Sequence, residues 1–308
     1  MKNRIITALT VLLFIPTFAS AKKTAVKDTI MVFYLGGQSN MDGYGFVKDL
    51  PDSLKKTNKN VWIFQGNTAR DNETGGGIGI WEQLKPGHGR GTKSDATSNT
   101  YSDRFGVELS LAQRLQALYP DQNIALIKYS RGGTSIDQRA ARGAGSWDPN
   151  YTDKTGINQY DHFLETVKNA YAVNDINGDG VEDVLVPAGI FWMQGESDGD
   201  FTEDVAAAYY DNLNQLMGLI RAAFRSNDLP VVIGKISDSG VKNNGITWPY
   251  GDLVQYGEEK FARTDANATI VRSTKKYSYS DPWHYTSPDY IDLGIEFANA
   301  LYQLKDKK

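Results

Sequence analysis

Apolar residues along the chain form short runs that turn residues separate. Several runs are rich in β-branched and aromatic residues, a composition that favours β-strands. The runs IMVFYL, IALIKY and VLVPAGIFWM are apolar at nearly every position, which is typical of parallel strands that are covered on both faces. The predicted strands are Thr29–Tyr34, Val61–Phe64, Asn123–Tyr129, Val184–Met193, Pro230–Ile236 and Thr269–Arg272.

Segments with helical spacing lie between these strands. Ser102 is a predicted N-cap for a helix that places Phe105 and Leu109 on one face. Strands that alternate with helices predict an α/β protein, a three-layer α/β/α sandwich around a central, mostly parallel sheet. The other predicted helices are His162–Val173, Thr202–Phe224, Tyr250–Arg263 and Ser287–Leu304, the last with Ser287 as N-cap and Pro288 at its first position.

The N-terminus has the pattern of an export signal. Lys2 and Arg4 precede an apolar stretch, and Ala19-Ser20-Ala21 supplies the small residues of a cleavage site. A membrane anchor is the alternative, but the stretch is shorter than the about 20 residues that spanning requires. We therefore expect residues 1–21 to be a signal peptide and the mature protein to be periplasmic or secreted.

The remaining residues, 22–308, are predicted to form one domain, because no linker or internal repeat divides them. Asp71–Tyr101 is rich in Gly, Ser, Thr and Asn and is predicted to be a long surface excursion. The net charge of −4 comes without a basic stripe, so neither nucleic acid nor an anionic membrane is an expected partner. The absence of cysteine excludes disulfides and thiol catalysis.

Polar segments directly follow the predicted strands. In an open parallel sheet, ligands bind beyond the carboxyl ends of the strands, so these segments are expected to converge. Together they hold a serine, amide donors, a carboxylate and an imidazole. The segments are Gly36–Met41, Ser130–Ser135, Gln194–Asp198 and, across a short loop after the last strand, Asp281–His284.

A serine nucleophile needs a base, and the chain has three histidines. His88 lies in the glycine-rich excursion, and His162 lies near the start of a predicted helix. His284 has Asp281 three residues before it, a spacing that lets the carboxylate reach Nδ1 and leave Nε2 free to face a serine. The alternative is a loop histidine beside an aspartate that only caps a turn.

Three sequence blocks resemble the SGNH-hydrolase superfamily, and within it the carbohydrate acetylesterases such as sialate O-acetylesterases and acetylxylan esterases. They are Gly37-Gln38-Ser39-Asn40-Met41, Trp192-Met193-Gln194-Gly195-Glu196-Ser197-Asp198 and Asp281-Pro282-Trp283-His284. The segments Arg104–Leu109 and Gly132–Ser135 match the same branch, so the resemblance spans the mature chain. It implies the flavodoxin-like fold of that superfamily and hydrolysis of acetyl esters on carbohydrates without a cofactor.

The resemblance also implies residue roles. Ser39 is the nucleophile, and Asp281 and His284 complete the catalytic triad. The oxyanion hole is formed by the N–H of Ser39, an N–H of Gly133 or else Gly132, and the amide of Gln194. The chain departs from the wider superfamily, which has an Asn where Gln194-Gly195-Glu196 stands.

Glu196 is expected to orient the catalytic residues without contacting the substrate, rather than to act as an acid catalyst. The alternative is that Glu196 is a solvated carboxylate in a loop. Two other functions compete with a carbohydrate acetylesterase. One is a carbohydrate-binding protein without turnover, and the other is a lipase-like relative with an apolar acyl trench. Intact Ser39, Asp281 and His284 favour an active enzyme, and the polar surroundings favour a carbohydrate substrate.

Two further patterns allow two readings each. The segment Asp175–Asp183 places Asp175, Asn177, Asp179 and Asp183 at ligand positions of a calcium loop, but a valine replaces the glutamate at position twelve, and a plain turn has the same letters. Large aromatic residues in predicted loops could stack on sugar rings or pack in the core. They are Trp81, Trp147, Trp248 and Trp283.

Overall fold

The computed structural model describes residues 27–71, 73–152, 156–242 and 244–306. The predicted signal peptide, residues 1–21, lies outside the described residues. No helix of the described ranges is both long and apolar enough to cross a bilayer.

The strands of the described residues are β1 (Thr29–Gly37), β2 (Gly45–Phe46), β3 (Val61–Gln65), β4 (Trp81–Gln83), β5 (Lys93–Ser94), β6 (Asn99–Thr100), β7 (Arg104–Phe105), β8 (Asn123–Ser130), β9 (Val184–Met193), β10 (Val231–Gly234) and β11 (Ala268–Val271). Seven of them form the central sheet in the order β11-β10-β9-β1-β8-β3-β4. Only the edge strand β4 runs antiparallel to its neighbour. If β1, β8, β9, β10 and β11 are counted from one to five along the chain, their order in the sheet is 2-1-3-4-5, which is the order of flavodoxin-like folds. The strand β3 is added beside β8.

The helices of the same ranges are α1 (Ser39–Asp42), α2 (Glu108–Leu118), α3 (Gln159–Tyr171), α4 (Glu196–Gly199), α5 (Glu203–Ala207), α6 (Tyr209–Ala223), α7 (Gly251–Thr264) and α8 (Ser287–Asp306). They cover both faces of the sheet. Neighbouring residues of β1 point to opposite faces and therefore contact different helices. Tyr34 contacts Phe163 of α3, with ring centroids 4.9 Å apart. Phe33 instead faces Phe191, which contacts Phe297 of α8. The three-layer α/β/α prediction is confirmed.

Two predicted helices begin or end elsewhere. The helix expected from Ser102 starts at Glu108, because Arg104–Phe105 pairs with Gly45–Phe46 as a short strand. Glu108 accepts the N–H of Gly106 and so supports the new helix start. The helix expected over Thr202–Phe224 is two helices, α5 and α6, which meet at Ala208.

The excursion Asp71–Tyr101 is more ordered than its composition indicates. It supplies the edge strand β4 and the β5–β6 hairpin, and it buries His88 completely. Lys128 of β8 lies beneath it, and its Nζ donates to the carbonyl of His88 (2.7 Å) and pairs with Glu108 (3.0 Å), both charges being fully buried. This buried pair fixes the loop after His88 against the sheet.

Candidate active site

The carboxyl ends of three neighbouring strands lie side by side. Gly37 at the end of β1 pairs with Ser130 at the end of β8 and with Met193 at the end of β9. The polar segments that follow these strands therefore start from one edge of the sheet. The predicted convergence of the serine, the glycine turn and the glutamine segment is what the strand order produces.

Ser39 lies in a sharp turn between β1 and α1. Gly37 makes this turn possible, since its φ is 141° and a Cβ there would lie 2.0 Å from the carbonyl oxygen of Met193. Only glycine fits such a position. The turn places Ser39 at the first position of α1, with its side chain at the sheet edge.

The Asp281–His284 loop forms the predicted pair. Oδ2 of Asp281 lies 2.7 Å from Nδ1 of His284, and Oδ1 accepts the backbone N–H groups of Trp283 (2.8 Å) and His284 (2.9 Å). The carboxylate thus holds both the ring and its own loop. Because Asp281 accepts at Nδ1, the neutral ring carries its proton there and leaves Nε2 as an acceptor.

His284 is close to the Ser39 turn, although no hydrogen bond joins them. Nδ2 of Asn40, the residue after Ser39, donates to the carbonyl of Trp283 (3.1 Å), and the N–H of Tyr285 approaches its Oδ1 (3.5 Å). Both neighbours of His284 are therefore tied to the residue beside the serine. Within the described residues, neither the Ser39 hydroxyl nor Nε2 of His284 has a hydrogen-bond partner, and such contacts often tighten only with substrate bound.

The surroundings of His284 keep its imidazole neutral. Its ring stacks on Tyr44, with centroids 3.5 Å apart and an interplanar angle of 7°. Burial lowers the pKa of His284 below its usual 6.5, and the positive charges of Arg90 and Arg104 lower it further, against the opposing effect of Asp281. A neutral imidazole at pH 7 is the form that accepts a proton.

Backbone donors face the serine from the β8 turn. A Cβ on Gly132 would lie 3.2 Å from Cβ of Ser39, so this turn packs directly on the nucleophile. Gly133 has a φ of 78° and is exposed. None of the described backbone hydrogen bonds uses the N–H of Ser39, Gly132 or Gly133. These N–H groups can therefore donate to a developing oxyanion, with either glycine as the second donor.

The geometry of Gln194 differs from the role that the resemblance implies. The side chain is fully buried, and its Nε2 donates to the carbonyl of Thr134 (3.0 Å) and to Asp198 (2.7 Å). Because these bonds use both amide protons, Gln194 presents no free donor to an oxyanion. It instead links the glycine turn to α4, through Thr134 and Asp198.

Glu196 is buried behind the serine rather than solvated. Its Oε1 accepts from Nδ2 of Asn40 (2.8 Å), whereas its Oε2 has no partner in the described residues. Burial raises the pKa of Glu196 to about 7. This position fits the expected orienting role, because Glu196 contacts Asn40, the residue after Ser39.

Asn40 is a further residue of this candidate site, and its position was not predicted from the sequence. It is buried, and besides Glu196 and the His284 loop it binds the hydroxyl of Tyr290 on α8 (2.7 Å). It thus links the nucleophile turn, α4 and the histidine loop at one point. Its place directly after Ser39 was the one sequence feature that could have indicated a role for Asn40. Its bonding partners on α4, in the His284 loop and on α8 come from distant parts of the chain.

We predict that Asn40→Ala lowers kcat by about 10²-fold, because a displacement of His284 by about 1 Å is enough for such a loss. The expected change is mainly in kcat, measured with 4-nitrophenyl acetate. Asn169→Ala is the matched control, since that asparagine binds the carbonyl of Gly77 (3.0 Å) away from the serine. A folded Asn40→Ala variant with kcat within about twofold of the parent would contradict this role.

The other two histidines have partners elsewhere. Nδ1 of His88 lies 2.9 Å from Oε1 of Gln65, and its Nε2 lies 3.3 Å from Glu82. Nε2 of His162 lies 3.8 Å from Asp71. Neither ring has a described contact with Ser39, so His284 is the histidine that the fold brings to the serine turn.

The Asp175–Asp183 loop is a hydrogen-bonded turn. The carboxylate of Asp175 accepts the N–H groups of residues 178–180, and Asp183 accepts that of Ile176. Among the described residues, no group of three acidic or histidine side chains is placed to hold a metal ion. These hydrogen bonds are those expected of a turn, and a calcium site formed by Asp175, Asn177, Asp179 and Asp183 stays a prediction.

Of the four loop tryptophans, one is available to a ligand at this site. Trp147 and Trp248 are buried, and Nε1 of Trp81 donates to the carbonyl of Ala170. Trp283 is 40% exposed and directly precedes His284. The Nζ of Lys242 lies over the Trp283 ring, 4.1 Å from its centroid, in a cation–π contact. Among these four, only Trp283 is exposed beside His284, so the prediction of sugar stacking applies to Trp283 alone.

Comparisons with known proteins agree with this architecture. A protein of Arabidopsis thaliana of known structure has a TM-score of 0.61 at 19% identity, covering 89% of this chain and 98% of its own. A carbohydrate acetylesterase from Xanthomonas citri also has a TM-score of 0.61, at 16% identity, and the match covers 90% of this chain and 57% of that one. NanS has a TM-score of 0.57 at 16% identity, with coverages of 92% and 100%. At these identities the likenesses show a shared fold.

The sequence itself gives the assignment to a family. A search of the curated proteins finds no significant match. A family model described as carbohydrate esterase, sialic acid-specific acetylesterase, matches residues 29–303. This range contains all three sequence blocks, and it confirms the resemblance to carbohydrate acetylesterases. The chain belongs to the family of carbohydrate esterases that this model describes, the sialic acid-specific acetylesterases.

Proposed function

We propose that this protein is a serine esterase that removes O-acetyl groups from carbohydrates through an acetyl-enzyme. Ser39 is the nucleophile, His284 is the general base, and Asp281 holds the imidazole. The observation that carries this proposal is the 2.7 Å contact between Asp281 and His284 in a loop that Asn40 ties to the serine turn. Family membership supports the same chemistry.

The proposed reaction is acyl transfer in two steps. Ser39 attacks the acetyl carbonyl while Nε2 of His284 takes its proton, and the imidazolium then protonates the departing sugar oxygen. Water repeats the sequence on the acetyl-enzyme and releases acetate. The N–H groups of Ser39 and of Gly132 or Gly133 stabilise the oxyanion, and losing one such donor typically costs about 3 kcal/mol of barrier. Every step uses groups of the chain, the substrate and water, so the proposal needs no cofactor.

Acetate release from acetylated sugars is the direct test. The protein is incubated with acetylated xylan and with O-acetylated sialic acid, and free acetate is measured against the Ser39→Ala variant. Release by the parent and not by the variant supports the proposal. Binding of these sugars without acetate release would instead indicate a carbohydrate-binding protein that has lost turnover.

We predict a strong preference for short acyl chains. The large cavity beside the serine turn is lined mainly by polar and charged residues, which offers little to an alkyl chain. The kcat/KM for 4-nitrophenyl acetate should exceed that for the octanoate ester by at least about tenfold. Equal values for the two esters would favour the lipase-like alternative.

The rate should fall on acidification with a midpoint below pH 6.5. The pKa of His284 lies below that value because of burial and the nearby arginines, so the neutral base persists into mildly acidic solution and is lost below it. The measurement is the pH profile of kcat/KM with 4-nitrophenyl acetate. Arg90→Gln should move the midpoint upward, since it removes a positive charge near the imidazole, whereas the exposed Arg263→Gln should not. A midpoint above pH 7 would contradict the assignment of His284 as base.

We further propose that the protein is exported, on the evidence of the predicted signal peptide at residues 1–21. Its expected partner is an acetylated carbohydrate, with neither nucleic acid nor membrane as a partner after signal removal. Fusion of residues 1–21 to a reporter enzyme tests the export, and a reporter that stays in the cytoplasm would contradict it.

A further inference from the structure

Tyr44 lies beside both proposed reacting residues. It stands between α1, whose first residue is Ser39, and the short strand β2. Its ring stacks on the imidazole of His284, with centroids 3.5 Å apart. Its hydroxyl lies 3.4 Å from the point that a Cβ of Gly132 would occupy, and Cβ of Ser39 lies 3.2 Å from the same point. The phenol oxygen and the serine therefore face the same place on the glycine turn.

The hydroxyl of Tyr44 is free to donate. Within the part of the chain that the structure describes, no hydrogen bond uses it, although the carbonyl of Tyr44 accepts from Arg104 (2.6 Å). Burial raises the pKa of Tyr44 above its usual 10.0, even though Arg90 and Arg131 oppose the rise. The hydroxyl therefore stays protonated at neutral pH and presents an O–H donor.

The position of Tyr44 is fixed before any substrate binds. The N–H of Gly43 donates to the carbonyl of Ser39 (2.9 Å), and the carbonyl of Gly43 accepts the N–H of Arg90 (2.9 Å). The guanidinium of Arg90 also lies over the Tyr44 ring, 5.2 Å from its centroid. With the stack on His284, these contacts hold the ring in one place. A donor that is already in position is what stabilises a developing charge most effectively.

Two side-chain amides near the serine have no proton left to give. Gln194, which the resemblance implies as an oxyanion donor, donates to Thr134 and to Asp198. Both protons of the Asn40 amide are likewise used, by Glu196 and by a backbone carbonyl. Neither amide is therefore available to an oxyanion, whereas the phenol hydroxyl is.

We propose that the hydroxyl of Tyr44 donates a hydrogen bond to the oxyanion that forms from the acetyl ester, beside the N–H groups of Ser39 and of the glycine turn. This inference rests on the proposed function and adds a catalytic residue to it. The donor acts on the oxygen whose charge grows in the transition state. Its contribution therefore lies mainly in kcat.

The proposed contact transfers no proton. As the bond from Oγ of Ser39 to the acetyl carbon forms, one electron pair of the carbonyl moves to its oxygen, and the serine proton goes to Nε2 of His284. Tyr44 keeps its proton and shares it with the oxyanion. When the carbonyl forms again, the bond to the sugar oxygen breaks, and that oxygen takes the proton from His284.

Tyr44→Phe tests the hydroxyl alone, because a phenylalanine ring keeps the stack on His284. We expect kcat for 4-nitrophenyl acetate to fall by about 10²-fold with little change in KM, a loss typical of one oxyanion donor. Tyr256→Phe is the matched control, since Tyr256 is 61% exposed on α7, and it should stay within about twofold of the parent. A folded Tyr44→Phe variant with a kcat within about threefold of the parent would overturn the proposal.

A second ester distinguishes the oxyanion from the leaving group. An oxyanion forms from every acetyl ester, so Tyr44→Phe should lower kcat for 4-nitrophenyl acetate and for acetylated xylose by similar factors. A loss with acetylated xylose alone would show that the hydroxyl contacts the sugar, and the oxyanion role would then be wrong.

The pH profile distinguishes a direct contact from an effect through His284. Burial lowers the pKa of His284, and Asp281, Arg90 and Arg104 also act on it. None of these residues changes in Tyr44→Phe, and the phenylalanine ring still covers the imidazole. The acidic midpoint of kcat/KM should therefore equal that of the parent. A shifted midpoint would show that the hydroxyl acts by positioning the imidazole, which contradicts a direct contact with the oxyanion.

Methylboronic acid provides a measurement that needs no turnover. Addition of Oγ of Ser39 to the boron gives a tetrahedral anion that resembles the acetyl intermediate. Its Kd, measured by calorimetry, should rise about tenfold or more in Tyr44→Phe and stay unchanged in Tyr256→Phe. Equal Kd values in the parent and in Tyr44→Phe would contradict the contact.

Failure of this proposal differs from failure of the proposed function. An active parent whose Tyr44→Phe variant is equally active removes the role of the hydroxyl and leaves the esterase intact. If the parent neither binds methylboronic acid nor hydrolyses 4-nitrophenyl acetate, both proposals fail.

Discussion

Ser39→Ala and His284→Ala are each expected to lower kcat by about 10⁴- to 10⁶-fold in a protein that remains folded. The first removes the attacking oxygen, and the second removes the only imidazole that the fold places beside the serine turn. Because the two residues act as one unit, the double variant should be scarcely slower than either single variant. Single-turnover rates with 4-nitrophenyl acetate measure all three.

His162→Ala is the matched control for these variants. Its ring lies on α3, and its nearest acidic partner is Asp71, so its loss should leave kcat within about twofold. Inactivation by His162→Ala together with survival of His284→Ala would show that the base is assigned to the wrong histidine. Thermal unfolding of each variant checks that the comparison is between folded proteins.

Much of the sheet could be predicted from the chain because its strands are continuous apolar runs. IMVFYL of β1 is covered on both faces, with only Met31 partly buried, and its composition indicates that environment. In VLVPAGIFWM of β9 only the second half is buried, because Val184 and Val186 at its start are exposed. The order of the strands then brings the residues after β1, β8 and β9 to one edge. Candidate site residues at strand ends were therefore within reach of sequence reasoning.

Errors arose where long-range pairing decides local structure. Phe105 fits the apolar face of a helix, but Arg104–Phe105 pairs with Gly45–Phe46, which lies about 60 residues earlier in the chain. The buried Lys128 near the end of β8 donates to the carbonyl of His88, so residues 87–89 are buried within a segment that otherwise has the composition and the exposure of a surface excursion. Neither pairing partner is close in sequence, and no local pattern indicates it.

Site residues were missed for the same reason. Gln194 was assigned a donor role from the resemblance, whereas Thr134 and Asp198 take its protons. The central position of Asn40 depends on partners more than 150 residues away. A sequence pattern names residue types near a strand end, but it does not say which amide faces the substrate and which one holds the loops together.

Asp281→Asn should lower kcat by about 10⁴-fold and leave the fold intact, although the size of this effect varies between enzymes. In the parent, one carboxylate oxygen accepts at Nδ1 of His284 and the other accepts two backbone N–H groups of the same loop. An amide has only one acceptor oxygen. If that oxygen stays with the backbone, the NH₂ group faces Nδ1, and the ring must carry its proton on Nε2, where it cannot take a proton from Ser39.

The opposite orientation of the amide is no better. Its NH₂ group would then face the two backbone N–H groups and loosen the loop that positions His284. Asp175→Asn is the control, because Asp175 accepts backbone N–H groups in a comparable turn away from the serine. That variant should lose a little stability and keep its kcat. If Asp281→Asn retained more than about a tenth of the parent kcat, the carboxylate would serve only to hold its loop, and the catalytic unit would be Ser39 with His284 alone.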